Sequence, residues 1–282
     1  MFTRISNSWQ LVKASAAVLQ ADKELIVFPV VSGMGVIIVT LTFALPMFLA
    51  GLFDATFFGQ NQVAGLLIAF LFYLAHYFVI FFANSALVGA AMIRLRGGDP
   101  TVGDGFRIAL QHAGPILGYA FVAATVGMIL RWLSERSGTL GRIVVSLVGI
   151  AWNVTTYLTV PVLVMEEVGP IEAITRSASL LKKSWGEQIV GNFGISTIFG
   201  LIAFGLVILA IPVIILAAMT ESVTLIVMTV VVFVLLLILS ALVGATLSGI
   251  YSAALYNYAV SGETGGYFEK ELIENAFVPQ KR

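Results

Sequence analysis

The sequence predicts an all-α, polytopic transmembrane helix bundle of about six spans. Hydrophobic residues make up 59% of the 282-residue chain and charged ones only 11%, far below the ~25% charged residues of soluble domains. Two apolar runs, Val63 to Ile93 and Ser222 to Val260, each exceed the ~20 residues that an α-helix needs to cross a bilayer. Stretches such as Val230 to Leu239 are apolar at every position, whereas the strands of an outer-membrane barrel alternate lipid-facing and lumen-facing residues.

Taken in order, the first span is expected from about Leu25 to Ala50, followed by a short loop holding Phe53, Asp54, Phe57 and Phe58. The second runs from Val63 to Ile93 and is stopped by Arg94 and Arg96, after which Gly97-Gly98-Asp99-Pro100 makes a turn. A semi-polar stretch precedes the third span, Pro115 to about Leu133, and the fourth covers Ile143 to Met165, closing on Glu166 and Glu167. The fifth extends from Ile189 to about Ala218. After Met219-Thr220-Glu221 the sixth continues from Val223 to about Val260, well over the ~30 Å of a hydrocarbon core at ~1.5 Å per residue, so it must tilt, bend or project.

Lysine and arginine accumulate on the cytoplasmic side of membrane proteins. Twelve of the 15 basic residues fall in the N-terminal arm, the loops after spans two and four, and the tail. Both termini are therefore expected in the cytoplasm, in the cytoplasmic (inner) membrane of a prokaryote. Arg131, Arg136 and Arg142 in the loop after span three are the misfit; were that loop cytoplasmic, a neighbouring span would be re-entrant.

Three segments have helical amphipathic spacing. In the N-terminal arm Phe2, Ile5, Trp9, Val12, Ala16 and Leu19 share one face; after Gly169-Pro170, so do Ile171, Ile174, Ala178, Leu181 and Trp185. A weaker version follows Asp104. Such helices lie in the headgroup plane, with Trp9, Arg94, Arg96, Arg176, Lys182, Lys183 and Trp185 as interfacial anchors. Each precedes a pair of spans, which suggests a threefold plan (1–96, 97–168, 169–262) within a single membrane domain, with residues 263–282 as a cytoplasmic tail.

The segment Gly169-Pro170-Ile171-Glu172-Ala173-Ile174-Thr175-Arg176-Ser177, followed by Leu180, Leu181, Lys182 and Trp185, resembles the linker between helix pairs in a broad set of prokaryotic polytopic proteins. These include the membrane domain attached to some glycerophosphodiester phosphodiesterases. With the Trp9 region and the Arg94-Leu95-Arg96-Gly97-Gly98 turn, the chain is similar to a domain-of-unknown-function family of six-span membrane proteins. That resemblance implies a fold and brings no catalytic residues, since the phosphodiesterase domain has no counterpart here.

Zero net charge argues against a nucleic-acid partner. With no cysteine, disulfides, thiolate metal sites, thiol catalysis and palmitoylation are excluded. The first twenty residues lack the continuous apolar region of a secretory signal, and Phe2 stands where myristoylation needs glycine. Phosphate-loop, zinc-protease and serine-hydrolase motifs are missing, so neither enzyme, cofactor nor metal chemistry is expected.

The remaining candidates are polar or small residues inside spans. His76, Asn84, Asn153 and Asn192 form a candidate intramembrane site, joined by Thr155, Thr156 and Thr159; His76 serves either a bond to a neighbouring helix or a proton or substrate role. Ser240, Gly244, Ser248 and Ser252 recur every fourth residue, with Ser85 and Gly89 as a shorter stripe, and such stripes let backbones approach, within the bundle or across a partner interface. Pro29, Pro46, Pro161 and Pro212 lie inside spans or near their ends, where they kink helices. The leading expectation is a non-enzymatic scaffold or accessory subunit that binds membrane lipids and other membrane-protein subunits, or self-associates. A small-molecule or lipid transporter is the alternative.

Overall fold

The computed structural model describes residues 2–50, 62–185 and 194–274. Among these the chain forms eleven α-helices and one 3-10 turn, with no strand. They are α1 (Phe2–Ala21), the turn Lys23–Ile26, α2 (Val27–Leu49), α3 (Gln62–Leu95), α4 (Val102–Gln111), α5 (Ala113–Arg136) and α6 (Thr139–Thr155). Then come α7 (Thr159–Met165), α8 (Pro170–Trp185), α9 (Gly194–Ala218), α10 (Val223–Ser261) and α11 (Lys270–Glu274). Six segments are long and apolar enough to cross a membrane: Lys23–Leu49, Gln62–Leu95, Ala113–Arg136, Thr139–Met165, Ile195–Ala218 and Val223–Ser261.

The fourth expected span lies within Thr139–Met165, where the helix is interrupted at residues 156–158 and so divides into α6 and α7. Pro161 supplies the cause: it has no N–H, and its ring clashes with the carbonyl four residues back, at Tyr157. Pro29 sits in the first turn of α2, where its N–H would be unpaired anyway; Pro46 lies inside α2 and Pro212 inside α9, each leaving the carbonyl four residues back without its helical donor.

α3 is the hub, packing on α2, α4, α5, α7 and α10. Its buried residues all lie between Ala83 and Leu95, and those of α10 between Gly244 and Asn257. The core therefore occupies the end of the bundle that carries Arg94 and Ser261. Close approach at that end depends on glycine. A Cβ at Gly105 of α4 would lie 2.4 Å from Phe28 Cζ and 2.7 Å from the Ala86 carbonyl oxygen, and one at Gly249 of α10 would lie 2.3 Å from Leu87 Cδ2.

α4 begins with a reciprocal cap: Thr101 Oγ1 accepts from the Asp104 N–H at 3.2 Å, and the Asp104 carboxylate accepts from the Thr101 N–H at 3.1 Å. The Thr101 hydroxyl and N–H hold the Asp104 carboxyl below its ordinary pKa. α10, at ~58 Å by ~1.5 Å per residue, stays one helix. Its last turns bring the Tyr256 hydroxyl to Glu166 (3.1 Å) and the Tyr258 hydroxyl to Glu274 (3.1 Å), so the excess length projects into a charged layer.

The short amphipathic helices bury one face against the bundle, beside the apolar face expected at the headgroups. α1 buries Leu11, Ser15 and Val18 as well as Val12 against α9 and α10, a face turned by roughly 100° from the predicted one at ~100° per residue. Trp9 lies on its exposed side. On α8 the buried stripe is Ala173, Ser177, Leu180, Leu181 and Trp185, while Ile171 is exposed. Apolar residues surround most of the wheel in both helices, so contact with other helices decides which are covered.

The glycine at 105 gives a direct test. Gly105→Val should lower stability by about 1–3 kcal/mol, the usual cost of overpacking, read as a lower melting temperature in detergent. Gly103→Ala, whose Cβ meets nothing nearer than Thr101 Oγ1 at 3.6 Å, should leave the melting temperature unchanged.

Candidate functional site

The break between α6 and α7 leaves backbone groups that a regular helix would have paired. Tyr157 N–H turns back to the Val154 carbonyl at 3.1 Å and Thr159 N–H to the Thr156 carbonyl at 3.0 Å. Leu158 N–H and the Thr155 carbonyl are satisfied by one side chain from α8: Ser177 Oγ accepts from Leu158 N–H at 3.0 Å and donates to the Thr155 oxygen at 2.7 Å. Ser177 is fully buried. The serine of the linker segment thus stands in for a missing helical hydrogen bond.

Beside this break is a cavity of about 1000 Å³, lined by residues of α2, α3, α5, α6, α7 and α10 and by the break itself, with Ser196 of α9 at its edge. Its polar lining includes Ser32, Asn84, Tyr119, Asn153, Thr156 and Ser252. Among the described residues no Asp, Glu, Lys, Arg or His lines it. Asn84 is ten residues from Arg94 and Gly33 ten from Lys23, so this polar group lies ~15 Å from the charged end at ~1.5 Å per residue. That is about half the ~30 Å hydrocarbon thickness. Beyond it, Met34, Ile37, Ile80 and Ile238 line the cavity and are themselves exposed.

The polar groups are unevenly satisfied. Thr156 Oγ1 donates to the Trp152 carbonyl at 2.9 Å. Tyr119 faces the hydroxyls of Thr156 and Thr159, yet Thr159 Oγ1 is buried outside hydrogen-bonding geometry, and Ser85 Oγ and Tyr251 Oη are likewise buried without partners among the described residues. The amides of Asn84 and Asn153 have no hydrogen-bond partner among those residues either.

Of the four candidate intramembrane residues, Asn84 and Asn153 share this cavity from α3 and α6. His76 does not line it. Its Nδ1 donates to the Phe72 carbonyl at 2.8 Å, and its Nε2 lies 3.0 Å from Thr40 Oγ1 of α2. The Thr40 hydroxyl also donates to the Val36 carbonyl at 2.8 Å, so its one proton is shared between that oxygen and the ring where His76 of α3 meets α2. Asn192 lies outside the described residues.

The small-residue stripe faces inward. A Cβ at Gly244 would meet the Phe199 ring of α9 at 2.8 Å. Ser240 and Ser248 line a second cavity of about 340 Å³ between α9 and α10, while Ser248 and Ser252 reach the large cavity. Gly89 admits Ile108 of α4, whose Cγ2 is 2.9 Å from its would-be Cβ, and Ser85 is buried in the core.

The anchors divide as well. Lys182, Lys183 and Arg96 are exposed. Arg94 pairs with the buried Asp22 at 3.4 Å and with Asp99, and Arg176 with Glu166 at 3.0 Å. Trp185 is buried against Tyr258, its Nε1 donating to the Ile273 carbonyl at 3.0 Å. Sequence reasoning missed Ser32, Tyr119 and Ser177 as site residues. Pro161 was the available signal for the break, and the serine of the linker's Arg-Ser pair is the residue that repairs it.

Six segments long and apolar enough to cross a membrane, one of them interrupted beside the cavity, point to a multi-pass α-helical membrane protein. A model of a family of unknown function (DUF6159) matches residues 63–267, most of the chain, and the protein belongs to that family. No curated protein and no solved structure matches it.

Ser177→Ala should strand a buried donor and a buried acceptor at about 1–3 kcal/mol each. The melting temperature should fall and amide exchange should rise across residues 155–158. A variant with wild-type stability and exchange would remove Ser177 from this role.

Proposed function

We propose that this protein takes a small amphipathic or lipid-like molecule from the bilayer into the mid-membrane cavity and moves it, as a transporter or exporter, without catalysing a reaction on it. The observation that carries this reading is the large cavity beside a broken helix. Non-helical backbone at membrane depth is tolerated where it is covered by protein or lines a cavity, and discontinuous helices frame the binding sites of many transporters. The bilayer is the cytoplasmic membrane of a prokaryote with both termini inside, supported by the excess of basic residues at the charged end.

Gly149 lines the cavity, and a Cβ there meets only Leu130 Cδ1, at 4.0 Å. Gly149→Phe should fold normally and fill the space. Native mass spectrometry of protein purified in mild detergent should find a small molecule bound to the wild type and lost from the variant. Equal loading of the two would sink the proposal.

The scaffold reading retains one specific support. Between Val223 and Leu239 α10 is exposed on all but a narrow stripe, a surface that a membrane partner or second copy can cover. Because the chain has no cysteine, single-cysteine variants report cleanly. Under this reading Val231→Cys should crosslink to a partner or second copy in native membranes. Glu263→Cys should react with a membrane-impermeant thiol reagent only in inverted vesicles; labelling in intact cells would reverse the orientation.

A further inference from the structure

We infer that the molecule held by the cavity is an uncharged amphiphile, a hydrocarbon chain ending in a hydroxyl or carbonyl oxygen, and that Asn84 and Asn153 select its polar end. The inference rests on the cavity reading above and narrows it to one chemical class.

Among the described residues nothing ionisable except tyrosine lines the cavity. A phosphate, carboxylate or ammonium brought to mid-membrane depth would therefore meet no counter-charge, and burial of an unpaired charge is among the costliest events in a low-dielectric site. A purely apolar chain fits no better, because it would leave two amides unsatisfied. Asn84 and Asn153 enter from different helices, lack partners among the described residues, and each offers a carbonyl acceptor and two N–H donors. Each amide can donate to and accept from a ligand hydroxyl, or donate to a ligand carbonyl. The apolar side chains of Met34, Leu130 and Ile238 border the rest of the cavity, where a hydrocarbon tail replaces lipid contacts without losing hydrogen bonds.

A matched pair of probes separates charge from chain: an 18-carbon alcohol and the 18-carbon fatty acid, each with the same photoactivatable diazirine. The full chain in phosphatidylcholine nanodiscs at pH 9, where the acid is ionised, is irradiated with each, and crosslinked peptides are identified. The alcohol should label the cavity helices at least ~10-fold more than the acid, a difference of about 1.4 kcal/mol, and Gly149→Phe should abolish that labelling. The double variant Asn84→Leu/Asn153→Leu should bring the two probes to within about 2-fold, by loss of alcohol labelling. Equal or stronger labelling by the acid, blocked by Gly149→Phe, would overturn the selection for an uncharged group while leaving the cavity reading in place. Failure of both probes to label the cavity, or labelling indifferent to Gly149→Phe, would overturn the cavity reading itself.

Discussion

Hydrocarbon offers no hydrogen bonds, so a backbone group within the bilayer must find its partner inside the protein. The fourth span meets this constraint at its weakest point, where Pro161 removes one donor and displaces a carbonyl. Ser177 on α8 accepts from Leu158 and donates to Thr155, which keeps the interruption tolerable and fixes α8 against the break. The position of α8 in turn holds Trp185 on Ile273 and Arg176 on Glu166. One buried hydroxyl thus links the broken helix to the layer that closes the charged end.

Packing is concentrated at that end. Gly105, Gly249 and Gly89 bring α4, α10 and α3 into contact where a methyl group would collide with a neighbour, and Arg94 joins the N-terminal arm to the turn after α3 through Asp22 and Asp99. The Asp22 carboxyl is pushed up in pKa chiefly by burial, with Arg94 opposing the shift. Farther along the helices the burial gives way to lipid-facing surface. The cavity lies at the transition, with its polar groups at the tight end and its apolar walls toward the exposed one.

This arrangement explains why chemistry was hard to find. Among the described residues no metal-ligating cluster occurs, and His76, within its span, contacts Thr40 of α2 and the Phe72 carbonyl. What the interior offers is amide and hydroxyl groups in a space bounded by apolar side chains, a setting suited to recognition of a molecule that already prefers the bilayer.

The sequence by itself determined the class and the spans. Apolar run length is a property of consecutive residues, and the span boundaries follow it to within a few positions wherever the chain is described. The covered faces of α1 and α8 were not legible, because their apolar residues extend around most of the helix and only the neighbours select a side. The site was half legible: Asn84 and Asn153 were visible as polar residues in apolar runs, but so was His76, which bonds α2 instead. Whether such residues converge depends on helix rotation and on which helices are adjacent, and both are set by contacts between segments far apart in the chain. The same holds for Ser177, whose role exists only because its helix crosses a break 19 residues earlier. Composition and hydropathy placed the protein in the bilayer; tertiary packing alone decided which of its polar groups meet.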